Sequence, residues 1–433
     1  MPTKTQQVLR QLQACESRNI LFIESDGSWP IVWERAKGNY VWDIEGRRYL
    51  DLTAAFGVAT AGHANTRVVK AGQKQMGKLL HAMGDVHPHA LKAQLAQKLS
   101  QITFGRWTKG ARGKTIFCNS GFEAVEAALK TAKLATGKPG IIAFESAYHG
   151  VGYGTLNATH REHFRGEFRS QLKSFGHFIP FPKKKAELKS LEQQIRALFK
   201  KQKIGAILLE PMQARGGIHI PPPGFLKLMR RLCDEHKALL ILDEIYTGFG
   251  RTGKWFACEH SSVIPDIICL GKALTGGFPL SASVGSAAVM DQAWPPSNGE
   301  AIHTSTFLGH PVGCAMALAQ IEELRKNKLP AKSHKLGLLL TKLLKSLTPP
   351  KGLKFDVRVS GLMAGLEIRT QDNQPATHIV LKTINRLLQR GFILLPEGEF
   401  ADVISLTPPL TITEAELSRT VKAIGQCLTE VAV

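Results

Sequence analysis

Two short apolar runs, each stopped by a reactive residue, constrain this chain more than any other feature. Ala238-Leu239-Leu240-Ile241-Leu242 runs into Asp243-Glu244, and Asp266-Ile267-Ile268-Cys269-Leu270 runs into Gly271-Lys272. A continuous apolar run of this length, bounded by charge, fits a strand buried on both faces of a parallel sheet. The pair therefore delivers an aspartate and a lysine to strand carboxyl ends, the edge where open α/β sheets bind ligands. Residues 115–118, 141–144, 204–209 and 282–284 read as further strands, with helical stretches at 89–102, 122–135, 186–200 and 225–236. Strands alternating with helices predict an α/β fold with a mainly parallel central sheet flanked by helices.

The ends of the chain read differently. Residues 1–35 suggest a short helix and an arm, and 40–43 with 48–52 a hairpin turning near Gly46. The small apolar segment 54–63 fits a pocket border, which makes Phe56 and Val58 candidate substrate contacts; His63 in it fits a structural role better than a catalytic one. After a helix near 313–325 the pattern changes. A helix, strands near 355–359 and 362–368, another helix and strands around 392 and 403 predict a smaller α+β C-terminal domain. The expected division is an N-terminal segment 1–60, a large domain 61–325 and a small domain 326–433.

Composition narrows the function classes. A hydrophobic fraction of 43% and a charged fraction of 21% over 433 residues are those of a globular protein with room for more than one core. No apolar run approaches the ~20 residues that cross a bilayer, and the first residues lack the apolar core of a secretory signal. Seven scattered cysteines without ligand spacing predict no metal site and a reducing cytoplasm. The net charge of +21 comes from 56 basic and 35 acidic residues. Its densest cluster is only Lys183-Lys184-Lys185, so the charge reads as a solvated surface that steers anionic ligands, with no specific nucleic-acid site.

The Lys272 and Asp243 pair suits one cofactor, pyridoxal 5'-phosphate. A lysine can hold it as a Schiff base while an aspartate pairs with the protonated pyridine nitrogen. Each residue alone also fits a plainer role, a strand-end lysine in solvent or a helix-capping aspartate. A phosphate signal accompanies them. Cys118-Asn119-Ser120-Gly121-Phe122-Glu123 passes from strand to helix with Ser120 and Glu123 spaced as a capping box, and a helix start offers free N–H groups to an anion. An ordinary capped helix has the same sequence. Tyr148, in Ala147-Tyr148-His149-Gly150, is placed to cover a flat ring or simply to fill a loop. Glu210-Pro211-Met212-Gln213-Ala214-Arg215 brings a carboxylate and a guanidinium to the same sheet edge, and the hydroxyls of 303–311 are candidate phosphate donors.

With these residues in place, the chain resembles the class III aminotransferases, the family of ornithine, 4-aminobutyrate and ω-amine transaminases. The resemblance is carried by Asp243-Glu244-Ile245-Tyr246-Thr247-Gly248-Phe249-Gly250-Arg251-Thr252-Gly253 and by Pro265-Asp266 followed by Lys272-Ala273-Leu274. It continues through Asn119-Ser120-Gly121, Tyr148-His149-Gly150, Glu210-Pro211, Ser305-Thr306-Phe307 and Pro408-Pro409. It implies a fold-type-I homodimer with shared active sites, acting by transamination on a small-molecule amino donor and a carbonyl acceptor. Lys272 would carry the cofactor and Asp243 its ring nitrogen. Gly121 and Phe122, beside Ser120, would bind phosphate, with Thr306 arriving from the partner subunit. Tyr148 and Ile245 would pack on the two ring faces, with Glu210 behind them.

The departures matter as much. Relatives that handle α-amino acids place an arginine clamp shortly before the Pro-Pro pair, where this chain has Ser405. They carry a switch glutamate where this chain has Arg215. A glutamine that bonds the cofactor's phenolic oxygen is replaced by Tyr246. Arg215 is then either an anion binder on the opposite wall, since a guanidinium matches a carboxylate fork, or a salt-bridged arginine. An amine, or an amino acid held unconventionally, is the expected substrate. Racemase, decarboxylase or aminomutase chemistry on the same scaffold is the alternative, and a basic binding protein on a retired scaffold is another.

Overall fold

The computed structural model describes residues 2–24 and 26–432. Three strands come first: β1 (Trp33–Lys37), β2 (Tyr40–Asp43) and β3 (Arg48–Asp51) form an antiparallel meander. Seven more follow: β4 (Gly113–Cys118), β5 (Gly140–Phe144), β6 (Gly176–Ile179), β7 (Ile204–Leu209), β8 (Leu239–Asp243), β9 (Ile267–Leu270) and β10 (Ser281–Ser286). They make one sheet in the order β4-β10-β9-β8-β7-β5-β6. Only β10 runs against its neighbours; the pairs from β9 through β6 are parallel.

The apolar runs are buried on both faces because helices cover both. On one face Ile241, Ala206, Ile141 and Ile267 pack against Ala124, Val125, Ala128 and Leu129 of the helix Gly121–Thr136. On the other, Leu240, Leu242, Ile207 and Leu209 join Phe225, Met229 and Leu232 of the helix Phe225–His236. Adjacent residues of one strand thus serve opposite cores, as the two-residue period requires.

The C-terminal part adds β11 (Leu353–Ser360), β12 (Met363–Thr370), β13 (Phe392–Ile393), β14 (Leu395–Glu397) and β15 (Val403–Leu406). Four of these form an antiparallel sheet in the order β11-β12-β15-β14. It is accompanied by the helices Leu329–Lys345, Thr377–Gln389 and Glu414–Val431. The strand β13 leaves that sheet and pairs in parallel with β3, Phe392 opposite Leu50. Six of the seven cysteines are buried, and none is in a disulfide. Among the described residues no helix is long and apolar enough to cross a membrane, and no cluster of potential metal ligands occurs.

Candidate active site

Parallel pairing of β8 with β9 sets Asp243 opposite Cys269. Lys272 follows three residues later, with a left-handed backbone (φ 42°) at the start of a short 3₁₀ turn. Both residues line one cavity of about 230 Å³, together with Gly121, Phe122, Tyr148, Ile245 and Tyr246. Glu210 and Arg215 line it too. The structure thus brings together the side chains that the strand-end pattern singled out.

Each is held by identifiable contacts. The carboxylate of Asp243 takes the Nδ1 side of His149 at 2.8 Å and the backbone N–H of Ile245 at 3.1 Å. Lys272 Nζ lies 3.7 Å from the centre of the Tyr246 ring, and the Tyr246 hydroxyl is 3.0 Å from Thr407 Oγ1. Burial pulls the Lys272 amine down to about 8, against the opposing pull of Asp243, Glu210 and Glu397. Glu210 accepts from the N–H groups of Tyr148 (3.2 Å) and Ala214 (2.9 Å). Burial, reinforced by nearby Asp243, pushes its carboxyl up to about 7.

The helix Gly121–Thr136 points its first turn at the cavity. Glu123 reaches back to accept from the N–H groups of Asn119 and Ser120 at 2.6 and 3.1 Å, and Ser281 Oγ donates to the Ser120 carbonyl at 2.5 Å. The N–H groups of Gly121 and Phe122 have no preceding turn to serve. A Cβ on Gly121 would stand 3.0 Å from Ile245, and one on Gly150 would stand 2.3 Å from Phe122. Glycine is therefore required at 150, where φ is 102°, whereas at 121 a side chain would need the Ile245 methyl to give way.

Other singled-out residues lie elsewhere. Ser405 is buried in β15 between Gly365 and Leu395 and does not line the cavity. Thr306 is exposed in the loop before the helix Pro311–Lys326, outside its own chain's cavity. Val58 lines no part of it either. Phe56 lies in a run of four left-handed residues, Ala54, Ala55, Phe56 and Gly57 (φ 48°, 49°, 61° and 78°). Its ring borders an adjoining chamber of about 310 Å³ that shares Arg215 with the first. His63 bonds Asp51 at 2.7 Å, away from the cavity.

Arg215 stands between the two chambers. Its guanidinium carbon is 5.0 Å from the Tyr148 ring centre, and its Nε is 3.9 Å from Glu397 Oε2. That Nε is buried without a hydrogen-bond partner. Burial raises the Glu397 carboxyl above its usual range, opposed by Arg215, Lys272 and Arg161. The sequence pointed to neither Glu397 nor the hydrogen bond of His149. His149 did stand beside Tyr148 as a visible signal; Glu397 carried none.

An amine and a carboxylate at neighbouring strand tips, facing a helix N-terminus, define a fold-type-I enzyme. An amine transaminase from an uncultivated Pseudomonas species, solved in its pyridoxal-phosphate-bound form, superposes with a TM-score of 0.85 at 28% identity. The match covers 96% of this chain and 98% of that one. The family model for class-III aminotransferases matches residues 22–428. The chain belongs to the class III aminotransferase family, and its activity is that of an aminotransferase. It is 35% identical over 404 residues to the acetylornithine aminotransferase of Methanosarcina mazei, covering 93% of each chain. It is also 34% identical to the 5-aminovalerate aminotransferase DavT of Pseudomonas aeruginosa, over the full length of both.

Proposed function

We propose that this enzyme uses pyridoxal 5'-phosphate, carried by Lys272, to move an amino group between an amine or amino acid and a carbonyl acceptor. The observation that carries the proposal is a single cavity lined by the Lys272 amine, the Asp243 carboxylate and the first turn of the Gly121–Thr136 helix. The donor set fits the cofactor's chemistry: an amine for its aldehyde, a carboxylate for its ring nitrogen and free N–H groups for its phosphate. The glycine at 121, where a Cβ would press on Ile245, fits the same reading.

When bound, the cofactor supplies an electron sink for charge developing on the substrate carbon that bears nitrogen. The chain supplies the rest. Asp243, fixed by His149 and by the Ile245 N–H, would hold the ring nitrogen protonated. Gly121 and Phe122 would bind the phosphate beside Ser120, and Thr306 of a second copy would complete that end in a homodimer. Tyr148 and Ile245 would enclose the ring, while Glu210 ties down the Tyr148 loop. Lys272, its basicity lowered by burial, is available near neutral pH as a base that takes a proton at Nζ and returns it. Tyr246, beneath that amine, would position it.

Substrate choice follows from Arg215. Ser405 offers no cation, so Arg215 is the guanidinium on the cavity wall. We assign it the carboxylate of an amino acid or keto acid, with Phe56 bordering the chamber beyond. The named relatives act on acetylornithine and on 5-aminovalerate, which supports an amine borne on a chain that carries an acid.

The test is spectroscopic and kinetic. The wild type should show a visible cofactor band that one equivalent of amino donor bleaches when no acceptor is present, with carbonyl product formed in step. Lys272→Ala should lack the band and lose turnover by roughly 10²–10⁴-fold or more. Turnover in Lys272→Ala equal to wild type would overturn the assignment.

A further inference from the structure

A second polar cavity, of about 350 Å³, shares no lining residue with the reaction cavity. It is framed by Tyr40 and Arg48 of the N-terminal hairpin, Arg390 and Phe392 at β13, and Arg419 and Lys422 of the helix Glu414–Val431. Four lining side chains are cations and none is acidic. Arg390 is engaged, donating from its Nη2 to both oxygens of Glu430 at 2.6 and 2.8 Å. Among the described residues, Arg48, Arg419 and Lys422 form no salt bridge. Glu416, one turn before Arg419, is occupied by the Asn39 side-chain amide at 3.0 Å and the Thr413 N–H at 2.8 Å.

The unpaired arginines are exposed, and each lies over an aromatic ring. The Arg48 guanidinium lies 4.7 Å from the Tyr40 ring centre, and that of Arg419 5.8 Å from the Phe392 ring centre. Arg419 Nη2 also donates to the Tyr40 hydroxyl at 3.3 Å. A guanidinium drawn over a ring by cation–π attraction keeps N–H groups for an acceptor. Those N–H groups match a planar or tetrahedral oxyanion through charge-assisted hydrogen bonds. Three like charges around one cavity repel one another, and a multiply charged anion removes that repulsion.

We infer that this cavity binds a small anion of the pyrophosphate or phosphate-ester class, carrying two or more charges, at a site separate from the reaction cavity. Its walls come from both sides of the seam where Leu50 of β3 pairs with Phe392 of β13. A ligand spanning Arg48 and Arg419 would clamp the N-terminal hairpin to the last helix, and so resist opening of that seam.

The experiment uses enzyme loaded with its cofactor, so that the phosphate end of the reaction cavity is already filled. Pyrophosphate is titrated calorimetrically at fixed ionic strength, with thermal unfolding followed in parallel. One saturable event per chain and a raised unfolding temperature are expected. Arg48→Ala combined with Arg419→Ala should weaken the binding by about tenfold or more. Arg215→Ala should leave it unchanged. The absence of saturable binding would overturn the inference. So would equal affinity in a double variant that keeps the cofactor absorbance of a folded enzyme. Saturable binding of a single-stranded oligonucleotide without binding of pyrophosphate would also overturn it, by making the groove a nucleic-acid contact.

Discussion

Asp243 and Glu244 are adjacent carboxylates with opposite fates. Asp243 faces the reaction cavity. Glu244 is fully buried and accepts from Thr247 Oγ1, the Ala257 N–H and the Cys258 N–H, all within 2.8 Å. Burial pushes its carboxyl up to about 7. The strand-end position of both was legible in the sequence, because an apolar run must stop where its charge can be served. Which of the two meets the cavity depends on a 3₁₀ turn whose Ala257 and Cys258 lie 13 and 14 residues after Glu244, which no local pattern reveals. The same limit hid His149, whose hydrogen-bond partner lies 94 residues away, and Glu397, which becomes relevant only once β14 is laid beside Arg215. Lys272 carries the prediction at this scale. Its amine falls from an ordinary 10.5 to about 8, and only the neutral amine attacks an aldehyde. Cofactor capture by cofactor-free enzyme should therefore accelerate as pH rises through about 8 and level off above it. Stopped-flow absorbance would follow the rate. A rate still climbing steeply near 10.5, the value of an unburied lysine, would contradict the environment described for Nζ.

Elements with a strong period declared themselves, and those whose identity depends on partners did not. The buried strands β5, β7, β8 and β9 show continuous apolar runs because helices cover both of their faces. The edge strand β6 is only Gly-His-Phe-Ile, too short and mixed to stand out. The strand β1 is mostly exposed and carries no alternation. The last helix, Glu414–Val431, carries a start signal in its sequence, the capping box of Thr413 and Glu416. The antiparallel course of β10 is invisible to any periodicity, since side-chain alternation is the same in either direction. At this scale the turn after Tyr148 can be tested. Gly150 has φ 102°, and an added Cβ would sit 2.3 Å from Phe122. Gly150→Ala should combine backbone strain of about 1–3 kcal/mol with displacement of the first turn of the Gly121–Thr136 helix. Gly137, at the far end of that helix, has φ 68° with nothing near its Cβ position. Gly137→Ala should cost about 1 kcal/mol of stability and leave cofactor affinity unchanged. Dialysis against a range of cofactor concentrations would separate the two. Equal retention in both variants would show that the Gly150 turn does not shape the cradle.

The whole molecule depends on pairings between the ends of the chain. The N-terminal hairpin joins β13 across more than three hundred residues of sequence, and the Thr407 N–H donates to the Leu52 carbonyl at 2.7 Å. Thr407 in turn meets the hydroxyl of Tyr246 beneath Lys272, so the N-terminal segment and the C-terminal sheet converge on the cavity from opposite ends of the sequence. Thr306 is the residue left outside this convergence. It is exposed and does not line its own chain's cavity, although the neighbouring Ser305 hydroxyl lies 3.4 Å from the Asn119 side chain beside the phosphate end. The proposal that Thr306 serves a second copy's site separates from a role within its own chain by mixing two inactive variants. Lys272→Ala removes the amine; Thr306→Asp sets a negative charge against the phosphate. In a mixed dimer, one site would combine an intact Lys272 from one chain with an intact Thr306 from the other. Refolding the two variants together in equal amounts makes about half of the dimers mixed, each with one good site, so about a quarter of wild-type activity should return. If Thr306 acts on its own chain, every site in the mixture carries a lesion and no activity returns. Sedimentation of the mixture checks that dimers form in either case.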